Sequence, residues 1–78
     1  KKLNLRISAE GELEINGQLV AMGQLAGYLE REKVRSGSST LIITADAEAE
    51  HGHIIDAMEM ATVAGIEKID IETEEPAN

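Results

Sequence analysis

The sequence predicts a small α/β (α+β) domain: a mixed sheet with two helices packed on one face, in the order β-β-α-β-α-β. Three observations lead there. Apolar residues alternate with polar ones across residues 3–15, two later stretches carry apolar residues at helical spacing, and a β-branched run stands between those stretches.

Leu3, Leu5 and Ile7 alternate with Asn4, Arg6 and Ser8, the period-two pattern of a strand with one buried face. Gly11 interrupts the pattern, which resumes with Leu13 and Ile15 between Glu12, Glu14 and Asn16, so the two runs read as a hairpin. Asn16-Gly17 is a further turn signal. It offers either a second hairpin or a simple turn toward the next helix; the second reading is preferred here, with a short extended stub at Leu19-Val20.

Met22, Leu25, Ala26 and Leu29 then fall on one helical stripe, and Arg31, Lys33 and Arg35 suit the negative end of a helix over residues 21–34. Ser36-Gly37-Ser38-Ser39 stops it. Residues 40–45, Thr-Leu-Ile-Ile-Thr-Ala, show no polar alternation and predict a strand covered on both faces. An acidic crossing segment over residues 46–50 leads to a second stripe of Ile54, Ile55, Met58, Ala61 and Thr62, closed by Gly65. The cost of a helical glycine places the start of that helix at or after Gly52. Ile66, Ile69 and Ile71 form the last strand, and residues 74–78 are expected to fray.

With 78 residues, the chain has room for a single domain, assigned to residues 1–73. It has no cysteine and a single aromatic residue, Tyr28, so its core must be aliphatic and no disulfide staples it. The net charge of −8 disfavours nucleic acid and anionic lipid, and points to basic protein partners or cations. No apolar run is long enough to span a bilayer, and the opening Lys1-Lys2 reads as the start of a piece cut from a longer protein.

Candidate chemistry is sparse. His51 and His53 sit among Asp46, Glu48, Glu50 and Asp56, a cluster that could hold a metal ion only as a loop. On a helix, side chains at i and i+2 diverge by about 200°. Ser36, Ser38, Ser39 and Thr40 resemble a linker more than an activated nucleophile, and no glycine pattern cradles a phosphate. Neither catalysis nor a cofactor is expected. Gly23, Gly27 and Ala26 make a small-residue surface on the first helix, expected to pack tightly on its own sheet or to admit another backbone.

The second half carries a family pattern. L-I-I-T-A-D at residues 41–46, H-G-H-I-I-D-A-M-E-M-A-T-V-A-G-I at residues 51–66 and the following K-I-D-I-E-T resemble the C-terminal periplasmic domain of the ExbD/TolR family of biopolymer transport proteins. The shared features fall on Ala45-Asp46, Met58-Glu59 and Ala64-Gly65-Ile66, and G-x-L-x-I-N-G at residues 11–17 agrees more loosely. The resemblance implies a part of a proton-motive-force-driven complex at the periplasmic face of the bacterial inner membrane. It implies a homodimer, an ExbB- or TolQ-like channel protein engaged through a transmembrane helix, and a TonB- or TolA-like periplasmic arm as the partner. Where relatives commonly carry an aromatic before the second helix, this chain has His51-Gly52-His53, which suggests a pH-sensitive contact.

Two functions follow. In the first, the domain self-associates and grips a partner arm by strand addition at an exposed sheet edge, the candidate edges being residues 3–8 and 68–72. Leu3, Leu5, Ile7, Lys68, Ile69, Asp70 and Ile71 are then the partner-binding residues. In the second, a free-standing domain binds a small ligand or cation through the acidic loop around His51 and His53.

Overall fold

The structure, a computed structural model, describes residues 2–75. Its elements are β1 (Leu3–Ile7), β2 (Leu13–Ile15), β3 (Gln18–Val20), α1 (Met22–Ser36), β4 (Thr40–Asp46), α2 (His51–Val63) and β5 (Lys68–Glu74). They build one mixed sheet in the order β3-β2-β1-β4-β5 beneath two helices. The β-β-β-α-β-α-β order contains one strand more than expected.

That extra strand comes from the second hairpin. Asn16 (φ 54°) and Gly17 (φ 78°) both take the left-handed conformation, as a two-residue type I′ turn requires. Its twist matches that of paired strands, so residues 18–20 fold back on β2, with Leu13 opposite Val20 and Ile15 opposite Gln18. The preferred reading of a simple turn is therefore corrected: local turn chemistry prevailed over the shortness of the following run.

β1 pairs with β2 on one side and runs parallel to β4 on the other, while β4 and β5 are also parallel. Only β2 opposes the rest. Both crossovers return through a helix, so α1 and α2 run parallel to one another and pack side by side.

One face of the sheet supplies the core. Leu3, Leu5 and Ile7 of β1, Leu13 and Ile15 of β2, and Leu41, Ile43 and Ala45 of β4 are buried against Leu25 and Leu29 of α1 and Ala57 and Ala61 of α2. On the opposite face Asn4 and Arg6 are exposed, and Ile42 and Thr44 only half-buried. β4 is thus interior but covered on one side alone, which corrects the expectation of two covered faces. Its unbroken apolar run reflects β propensity and pairing on both edges, since Thr and Ile suit a half-exposed pleat as well as a buried one.

The helix ends are set by glycines. α1 closes on Gly37 (φ 73°), whose N–H donates to the Lys33 carbonyl. α2 closes in a Schellman motif: Ile66 N–H donates to Ala61 O and Gly65 N–H to Thr62 O, with Gly65 at φ 87°. The Lys33 ammonium of α1 lies against Gly65, 2.5 Å from where a Cβ would stand. α2 has no basic residue in its own last turn, so the cation at its negative end is borrowed from the neighbouring helix.

α2 begins at His51, with Gly52 inside its first turn, so the expected start at or after Gly52 is corrected by a small margin. At the other end β5 includes Thr73 and Glu74, which were placed next to or within the fraying tail. The Glu74 carbonyl accepts from Ala47 N–H, and its carboxylate meets Arg6. Residues 76–78 of that tail lie outside the described residues.

Candidate functional site

The sheet has two edges, and they differ. β3 is three residues long, whereas β5 runs for seven and pairs on one side only, with β4. At about 3.3 Å per residue that is roughly 23 Å of backbone open to a further strand. Register with β4 fixes where its side chains go. Ile69, Ile71 and Thr73 stand beside Leu41, Ile43 and Ala45 on the helix-bearing face. Lys68, Asp70, Glu72 and Glu74 stand beside Thr40, Ile42, Thr44 and Asp46 on the open face.

The edge has an acidic side and an apolar side. Ile71 is 46% exposed although it sits in the core-facing row beside Ile43. On the open face Glu74 forms an ion pair with Arg6, with contacts of 2.5 and 3.3 Å that reach across β4. Both side chains remain substantially exposed, so the pair contributes at most about 1 kcal/mol. It takes up the Arg6 guanidinium, and among the described residues Asp70 and Glu72 have no ion-pair partner.

The other expected edge is not an edge. β1 is paired on both sides, and Leu3, Leu5 and Ile7 are buried, Leu5 completely. Strand addition at residues 3–8 is therefore excluded, and these three residues belong to the core. The hairpin pattern of residues 3–15 shows that β1 has one neighbour; the second arises from a parallel pairing with β4 that no local signal encodes.

The positions that carry the family pattern separate by role. Ala45 is buried under the helices, and Ala64-Gly65-Ile66 is the Schellman stop of α2. The Asp46 carboxylate accepts from Glu48 N–H (2.8 Å) and shapes the turn into α2. Met58 is half-buried against the core, while Glu59 points outward.

His51 and His53 do not converge. Both lie in the first turn of α2, His51 exposed and His53 turned back onto Gly11 at the β1–β2 turn. Nδ1 of His53 is buried and has no hydrogen-bond partner among the described residues. Among the described residues no group of three or more His, Asp or Glu side chains is placed to hold a metal ion. No helix among them is long and apolar enough to cross a membrane.

Gly23 and Gly27 lie on the side of α1 away from the sheet, with nothing within 4 Å of a Cβ built on either. The expectation of tight packing on their own sheet is corrected, since Leu25 and Leu29 occupy that face. Sequence reasoning also missed the exposed apolar residues of the helices: Val34 is 79% and Val63 70% exposed. For Val63 the signal was present, because α2 carries apolar residues beyond its core-facing stripe.

No curated protein matches the chain at a significant level. The family model described as "Biopolymer transport protein ExbD/TolR" matches residues 1–75, nearly the whole chain. The order of strands and helices, the turn at Asp46 and the glycine stop at Gly65 all lie within the matched region, and the chain belongs to the ExbD/TolR family of biopolymer transport proteins.

Proposed function

We propose that this domain stands at the periplasmic face of the bacterial inner membrane and passes motion from a proton-driven channel complex to a periplasmic arm. Membership of a biopolymer transport family supports an energy-transducing role. The parent protein joins an ExbB- or TolQ-like channel through a transmembrane helix, self-associates, and engages a TonB- or TolA-like partner. The domain itself binds and transmits, and does no chemistry on a substrate.

The observation that carries this reading is the open edge of β5. A partner strand added there gains main-chain hydrogen bonds along Lys68–Glu74. Its side chains would alternate between the apolar row of Ile69 and Ile71 and the acidic row of Asp70, Glu72 and Glu74. The edge thus selects an extended segment alternating apolar and basic residues. The net charge of −8 attracts such a segment before contact. Unpartnered, the same charges keep edges of neighbouring copies apart.

The test is photocrosslinking in the intact complex, in native membranes. A photoreactive residue at Asp70 or Glu72 should trap the periplasmic arm, and the adduct should change when the proton gradient is collapsed. Equal trapping at Glu30, on the far side of the helical layer, would contradict the assignment.

A further inference from the structure

We infer that this domain docks end-on against anionic lipid headgroups, through the pole where both helices finish and β1, β4 and β5 begin. This docking rests on the coupling reading only for the nearness of a bilayer, and it leaves the open edge of β5 rising away from that surface.

The topology gathers these ends. β1, β4 and β5 are parallel, so their first residues lie together, and the Ser39 carbonyl just ahead of β4 accepts from both Glu67 and Lys68 N–H. Both helices run the opposite way to these strands and close at the same pole, where Lys33 of α1 reaches Gly65 beyond α2.

The charge of the chain is divided between its two ends. Lys33 and Arg35 stand in the last turn of α1, Lys2 just before β1, and Lys68 opens β5. Of the acids nearby, Glu32 is buried and meets Arg35, and Glu67 accepts from the Ser39 hydroxyl. The opposite pole holds Glu10, Glu12, Asp46, Glu48, Glu50 and Glu74, with Arg6 paired to the last of these. A net charge of −8 sums over both poles and hides the basic one. Lys33 and Arg35 are accounted for by the negative ends of the helices. Lys2 and Lys68 have no helix to serve; both are exposed and have no ion-pair partner among the described residues.

The same pole carries exposed aliphatic side chains. Val34, 79% exposed, lies between Lys33 and Arg35 in the last turn of α1, and Val63, 70% exposed, ends α2. Cations interleaved with protruding apolar groups suit the boundary between headgroups and acyl chains, where charge attracts and apolar area holds. The cations are spread over the end of the domain and not gathered in a groove, so the matching anionic surface is broad and flat. Repulsion from the acidic pole is weak at this distance. β4 separates the two poles by about 20 Å, more than twice the screening length of about 8 Å at physiological salt.

The test exposes the isotope-labelled chain to vesicles of equal parts phosphatidylglycerol and phosphatidylcholine that carry a spin-labelled headgroup. Amide signals of Lys2, Val34, Val63 and Lys68 should broaden first, and vesicles of phosphatidylcholine alone should leave them sharp. The double variant Lys2→Glu with Lys68→Glu should bind at least about tenfold more weakly. Glu48→Lys with Glu50→Lys, at the far pole, should change binding by less than about twofold. All four side chains are exposed, and circular dichroism checks that each variant is folded. Broadening led by residues 46–50, equally large effects of the two double variants, or no preference for phosphatidylglycerol would overturn the docking. Capture of the arm at β5 would survive any of these results.

Discussion

The imidazole of His53 lies against the backbone of Gly11, its ring atoms 2.5–3.0 Å from where a Cβ on that glycine would stand. This contact ties the start of α2 to the turn between β1 and β2, two parts of the chain far apart in sequence. Gly11 is also at φ 88°, so it meets two demands at once, one of backbone and one of space.

Gly11→Ala should therefore cost more than Gly17→Ala. Gly17 shares the positive φ, at 78°, but has nothing within 4 Å of a Cβ. Urea denaturation should show a loss of about 1 kcal/mol for Gly17→Ala and roughly 2–3 kcal/mol for Gly11→Ala. Equal losses would mean that His53 moves aside freely.

His53→Leu should leave the domain as stable as before or raise its stability by about 1 kcal/mol. The buried Nδ1 has no partner among the described residues, and an unsatisfied buried nitrogen costs about 1–3 kcal/mol that an apolar side chain does not incur. A marked loss in urea would show that the nitrogen is satisfied in solution.

Leu5→Ala removes a completely buried side chain from the middle of the sheet, where β1 meets both β2 and β4. The expected loss is about 2–5 kcal/mol. A chain of 78 residues has a total stability of roughly 4–12 kcal/mol. Thermal unfolding should find this variant partly or wholly unfolded, while Val34→Ala, on the outer surface, unfolds as the parent does when monomeric.

Gly27→Ala should stabilise the monomer by about 1 kcal/mol, because the position is helical and a methyl group there meets nothing. Denaturation at micromolar concentration reads this directly. No gain would indicate that the exposed face of α1 is already covered.

Much of this fold was legible in the sequence because its signals are local. The alternation over residues 3–15, the stripe through Leu25 and Leu29, and the glycine stop at Gly65 each act within a few residues, and the structure has all three. The second hairpin was also encoded locally, in the paired positive φ of Asn16 and Gly17, but its three-residue strand was too short to outweigh a plain turn.

The site was harder to read, for a physical reason. Whether a strand is an edge depends on its neighbours in the sheet, and the parallel pairing of β1 with β4 joins residues nearly forty positions apart. Leu3, Leu5 and Ile7 thus looked available and are core, whereas Lys68, Ile69, Asp70 and Ile71 lie on the strand that is open. The Arg6–Glu74 pair, likewise, exists only because the sheet brings the two ends of the chain together.

The central claim is that β5 receives the partner, and the most direct measurement is an amide titration of the labelled chain with a peptide from the TonB- or TolA-like arm. The account predicts shifts and slowed hydrogen exchange along Lys68–Glu74, with β3 unaffected. Binding that leaves those amides unchanged, or that perturbs the helices alone, would contradict it.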